Sequence, residues 1–191
     1  MKAAVFALKR GLLREFHAGV EAILAIDPNH EGAKRVVALK DEINKPLPET
    51  PEEEAEIRKI VKRGSMRIDR SKHFILLHDT PEKPEKKGRK SRADERLALL
   101  EKVYESFILL FHAQDVALDI PRERMRVVLF NDEKDFREYA TNLSPTLSKA
   151  AGFWEPERNV SVFYDHGTRE EFKILATVEK ELKKSADEAK R

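Results

Sequence analysis

The chain has 191 residues, more than one average domain and fewer than two, so one compact domain with a smaller appended unit is expected. Its 37 Lys and Arg stand against 35 Asp and Glu, a net charge of +2 that excludes a molecule drawn as a whole to nucleic acid or an anionic membrane. The absence of cysteine excludes disulfides, thiolate metal sites and thiol catalysis together.

No apolar run reaches the roughly 20 residues that cross a bilayer, and Met1 to Arg10 carries no pattern of an export signal. Residues 1–44 predict three helices, with breaks at Gly11 and at Asp27-Pro28-Asn29, where Asp27 or Asn29 caps the third. Lys45 to Glu54 holds Pro46, Pro48 and Pro51 with four acidic residues, a composition that predicts a stiff, solvated linker and a domain boundary. A short charged helix over Glu52 to Lys62 is expected to stop near Gly64. Met66 to Ile68 and His73 to His78 then read as strands, the second apolar enough to be buried on both faces. Lys83 to Arg92 is basic, lacks aromatic residues, and is read as a solvated loop rather than a phosphate-binding patch. Leu97, Leu100, Tyr104, Phe107 and Phe111 recur at helical spacing within Ala93 to His112, so that face must be covered.

Met125 to Phe130 predicts a strand, and Asn131 or Asp132 a cap for a helix bearing Phe136 and Tyr139. Ala150 to Trp154 and Asn159 to Tyr164 flank Glu155-Pro156-Glu157-Arg158, a connection of hairpin length. Arg169 to Arg191 shows a thin apolar stripe, Phe172, Leu175, Val178 and Leu182, among thirteen charges and predicts a helix with a frayed end. The fold class is therefore α+β. Its expected parts are a helical hairpin over 1–44, linker and short helix over 45–64, a mixed sheet with packed helices over 65–168, and a charged helical tail over 169–191.

Catalytic signals are weak. There is no Gly-x-Ser-x-Gly elbow or Gly-rich phosphate loop, and His30-Glu31 lacks the second imidazole of H-E-x-x-H because Lys34 stands one turn on. His73 and His78 lie five apart on one predicted strand and so point to opposite faces; they are expected to cap strand ends or sit at the surface. Asp165-His166 follows the last strand, where Gly167 predicts a turn rather than a working acid–base pair.

Two resemblances add to these readings. Gly11-Leu12-Leu13-Arg14-Glu15 through Ala22-Ile23-Leu24-Ala25-Ile26-Asp27-Pro28-Asn29 resembles the end of a tetratricopeptide repeat, although Phe16 stands where that family places a small residue. Ser71-Lys72-His73-Phe74, Ala93-Asp94 through Tyr104 and Phe107, Val127 to Phe130, and Ala151-Gly152-Phe153-Trp154 followed by Asn159 through Asp165 resemble the N-terminal half of the peptidase-MA-like family. That resemblance covers about half the chain and implies the fold of the gluzincin zinc metallopeptidases. In thermolysin-like members a similar small-small-Phe-Trp strand forms the exposed sheet edge and leads towards the active-site helix. It would make Ala151, Gly152, Phe153 and Trp154 the edge that contacts an extended peptide. The residues alone leave a second reading open, in which Gly152 relieves a bulge and Phe153 or Trp154 packs in the core.

The complete family domain would hold zinc, with Glu polarising a metal-bound water. Arg169 to Arg191 contains no histidine, so this chain supplies no H-E-x-x-H and no cofactor is expected in it. The expectation is a non-catalytic portion of a zincin-like protein, inactive as a peptidase alone, that contributes the substrate-edge strand. Its expected partner is an extended peptide or another protein; neither nucleic acid nor a membrane span is expected. The alternative is a helical interaction module over 1–44 attached to a structural α+β domain.

Overall fold

The computed structural model describes residues 1–82, 90–114, 116–166 and 178. Within them the class is α+β: helices and a five-stranded mixed sheet. The chain forms two compact units and passes between them repeatedly. The first takes in 1–53, 70–75 and 93–125; the second takes in 54–69, 76–92 and 126–191, within its described residues.

In the first unit, α1 (Lys2–Lys9), α2 (Leu13–Ile26) and α3 (Glu31–Ile43) follow the predicted breaks, with Gly11 taking the positive φ of 71° that ends the first. α1 packs on α2 and α2 on α3, burying Leu8, Phe16, Val20, Val36 and Ile43. Phe16 is fully buried, while the close approach falls one turn later: a Cβ added at Gly19 would stand 3.3 Å from the Cβ of Ala4. The α3 cap is His30, not Asp27 or Asn29. Its Nδ1 accepts from the Ala33 amide at 3.2 Å, while Asp27 Oδ1 accepts from the Asn29 amide at 3.0 Å and closes the preceding turn.

The Pro-rich stretch is not a free linker. Arg124, almost wholly buried, donates to the carbonyls of Leu47, Pro48 and Ser71 at 2.9, 3.0 and 2.9 Å and pairs with buried Glu53 at 3.3 Å. The Leu47 amide also donates to the Lys72 carbonyl. Composition predicted solvation because prolines lack amide donors, yet their neighbours' carbonyls remain good acceptors for a guanidinium. Most of α5 (Arg92–His112) belongs to this unit. Leu97, Tyr104, Ile108 and Leu109 are buried, whereas Phe107 is exposed beside half-buried Phe111, so the expected apolar face is only partly covered. His17 Nε2 lies 2.7 Å from Glu105 Oε1 and ties α2 to α5.

The sheet order is β1 (Arg67–Arg70), β2 (Phe74–His78), β3 (Met125–Phe130), β5 (Val160–Tyr164), β4 (Gly152–Glu155). β3 and β5 are parallel; β4 and β5 are antiparallel. β2 is buried along its whole length, as its unbroken apolar run requires. In the second unit, α6 (Glu133–Leu143) is capped by Asp132, whose carboxylate accepts from the Lys134 amide at 2.6 Å. Helix α6 lays Phe136 against Tyr164 and Phe153, with ring centroids 5.0 and 5.9 Å apart, and Phe130 closes the cluster at 6.2 Å from Phe136. α4 (Pro51–Ile60) supplies buried Ile57 and Ile60, and a single 3-10 turn over Leu147–Lys149, unforeseen in the sequence, leads into β4. The predicted tail helix over 169–191, Val178 apart, and most of the basic loop over 83–92 lie outside the described residues.

Candidate functional site

β4 is the last strand in the sheet order, and among the described residues nothing pairs with its outer side. Its hairpin partner fixes which side chains share a face. Gly152 opposes Phe163 and Trp154 opposes Ser161, while Phe153 opposes Val162 and Glu155 opposes Val160. The second set faces α6: Phe153 is half-buried, 5.9 Å from the Phe136 ring and stacked on Tyr139 at 6.4 Å. The first set is open. Trp154 is 60% exposed and Phe163 is 38% exposed.

The hairpin geometry explains why each residue stands where it does. The turn runs Pro156 to Asn159, one residue later than the spacing predicted, because Asn159 adopts a positive φ of 47°. Asn tolerates that conformation better than other side-chain-bearing residues. From there its Oδ1 accepts from the indole Nε1 of Trp154 at 3.1 Å, tying the ring to the turn. Gly152 does not mark a bulge: its register with Phe163 is regular and its φ is not positive. A Cβ there would lie 2.2 Å from Cδ1 of Phe163 and 2.9 Å from the Val162 carbonyl oxygen. The Phe163 ring therefore occupies the space a side chain would fill, an aromatic laid over a glycine of an edge strand.

The four residues singled out from sequence thus separate. Gly152, Phe153 and Trp154 lie on the edge strand, and exposed Ala151 immediately precedes it. Trp154 stays outside and Phe153 packs inward. Asn159 and Phe163, which orient the tryptophan and cover the glycine, were missed; the register would have paired Gly152 with Phe163 once the turn was placed over 156–159.

No group of three or more His, Asp or Glu among the described residues is arranged to hold an ion. Of the two histidines expected at strand ends or the surface, His73 immediately precedes β2 and His78 ends it, and both are buried rather than exposed. In the second unit, His78 is 1% exposed and uses both ring nitrogens, Nδ1 with Thr80 Oγ1 and Nε2 with Asp69 Oδ2, each at 2.9 Å. Burial pushes its pKa down despite the Asp69 carboxylate, which raises it. In the first unit, His73 is buried against Glu101. Asp165 is turned to Arg92, 2.9 Å from its Nε, and His166 lies against the Tyr164 ring. These side chains lie apart rather than gathered around one point, so the described residues do not fit zinc.

No helix of the described residues is long and apolar enough to cross a membrane. No family model matches the chain, and no curated protein or solved structure matches it.

Proposed function

We propose that the chain binds extended peptide by strand addition at β4, as the non-catalytic, peptide-edge portion of a zincin-like domain. The observation that carries this reading is an edge strand with nothing described on its outer side and an indole held beside it. An edge backbone offers alternate N–H and C=O groups to a new strand, which is how sheets take up peptides. The opposite edge of the sheet, β1, reads Arg67-Ile68-Asp69-Arg70 and carries the charges that discourage pairing, whereas β4 reads Gly-Phe-Trp-Glu. A four-residue strand makes few new hydrogen bonds, so the affinity is on the order of millimolar.

Trp154 is the sole tryptophan, so its emission reports on this edge directly. Titration with a blocked peptide of alternating valine and threonine is expected to shift that emission to the blue and move the amide resonances of Ala151 to Glu155. A peptide N-methylated at alternate amides is expected to do neither. Unchanged spectra with the unmethylated peptide at several millimolar would remove the reading. The helical hairpin is the second candidate surface, favoured by Ile26, 87% exposed at the end of α2. Peptide binding that survives Trp154→Ala but is lost in Ile26→Ser would assign the contact to the hairpin instead.

A further inference from the structure

The first unit contains a groove of about 950 Å³ whose floor includes His73 and Ile108 and whose walls include Leu39, Leu47 and Leu118. That volume lies at the upper end of the range of small-molecule pockets. Apolar and polar side chains share the lining: among its described residues two acids, Glu42 and Asp119, stand against two bases, Lys45 and Arg122, with His112 beside them. With the signs balanced, no net field favours an ion, so the groove suits a neutral ligand.

The chemistry at the floor comes from His73, which is 3% exposed and fixed on three sides. Its Nδ1 lies 2.6 Å from Glu101 Oε2, its backbone amide donates to Glu101 Oε1 at 2.8 Å, and its ring stacks on Tyr104 at 4.3 Å. Burial pushes the Glu101 carboxyl up, but hydrogen bonds from Ser71 and His73 outweigh it and hold the group below its ordinary value. Glu101 is therefore a carboxylate that only accepts, and the proton between the two belongs to Nδ1. In the neutral ring this leaves a lone pair on Nε2. Among the described residues Nε2 has no partner. His73 lines both this groove and a smaller cavity that Ser71, Glu101 and Tyr104 border, and with Nδ1 given to Glu101, Nε2 is the ring nitrogen left to meet a ligand. The contrast with His78 is direct: there both nitrogens are bonded within the protein, as a purely structural imidazole requires.

We infer that this groove binds a small neutral molecule with an apolar body and one hydroxyl, which donates its hydrogen bond to Nε2 of His73 while the body lies against Leu39, Leu47, Ile108 and Leu118. An acceptor locked in place before binding loses little freedom when the ligand arrives, and a buried acceptor discriminates strongly against a ligand that lacks the donor.

The test uses the full chain with two probes of matched shape, 4-propylphenol and 4-propylanisole, followed by calorimetry and by the imidazole ¹⁵N resonances. The phenol is expected to bind about tenfold more tightly than the anisole, the scale of one neutral hydrogen bond, and to shift Nε2 of His73 while leaving both His78 nitrogens unmoved. Leu118→Lys, at a half-buried wall position that makes no bond to His73 or Glu101, is expected to weaken both probes while the His73 Nδ1 resonance stays in place. Equal affinity for the two probes would overturn the role of His73, and absence of binding up to their solubility would overturn the site. Either result leaves peptide addition at β4 untouched, since that edge belongs to the other unit.

Discussion

Gly152 shows how much a single position carries at the edge. Its Cα hydrogens sit under the Phe163 ring, and any Cβ would meet both that ring and the Val162 carbonyl. The ring can rotate away, but the carbonyl is backbone and cannot, so Gly152→Ala is expected to cost about 1–3 kcal/mol by overpacking. Urea unfolding of the variant checks this, and a change within experimental error would mean the strand end yields freely. His78 makes a second prediction at the same scale. Because burial lowers its folded pKa, the unfolded chain takes up the proton first as the solution is acidified. Stability is thus complete above the unfolded value of about 6.5 and is lost progressively as pH falls below it, until the folded imidazole also protonates. The urea midpoint of the parent chain should drop between about pH 7.5 and pH 5 by more than that of His78→Gln. Parallel profiles would show that the imidazole takes up its proton alike in the folded and unfolded chain.

Among the elements, the segment over 45–53 departs furthest from its composition. Arg124 gathers the Leu47, Pro48 and Ser71 carbonyls and Glu53 into one buried network, so Arg124→Ala removes four contacts and leaves the Glu53 carboxylate with the more distant Arg70, at 3.9 Å. A loss of about 3 kcal/mol is expected in thermal or chemical unfolding, with faster proteolysis between Lys45 and Glu53 as a local signature. Stability and cleavage like those of the parent chain would mean the segment is free after all. The elements themselves were largely legible. Helices α1 to α3, α5 and α6 and strands β2 and β3 follow from apolar periodicity, and Asp132 from its place before a helix. Caps and turns were legible only in part, because His30 and Asn159 act through one ring nitrogen and one positive φ that a residue alphabet does not display. The two-residue shift in hairpin register preserved the faces, since side chains alternate with a period of two, and so Trp154 remained on the open face while its partner changed.

Across the whole molecule, sequence order and spatial grouping part company. The reading in consecutive blocks follows the chain, whereas the structure assembles its first unit from three separated stretches and its second from the intervening ones. Long-range partners such as Arg124 with Glu53, or Glu101 with His73, create that grouping, and no local periodicity announces them. The same holds for the candidate site: an aromatic after a glycine was visible, but the edge position of β4 depends on β3 choosing β5 as its parallel neighbour. Amide hydrogen exchange across Gly152 to Glu155, with and without the valine–threonine peptide, tests the central claim most directly. Strand addition predicts marked slowing at alternate residues of β4, those whose amides point away from β5. Peptide binding by calorimetry with no change in β4 exchange would contradict it and move the contact elsewhere on the molecule.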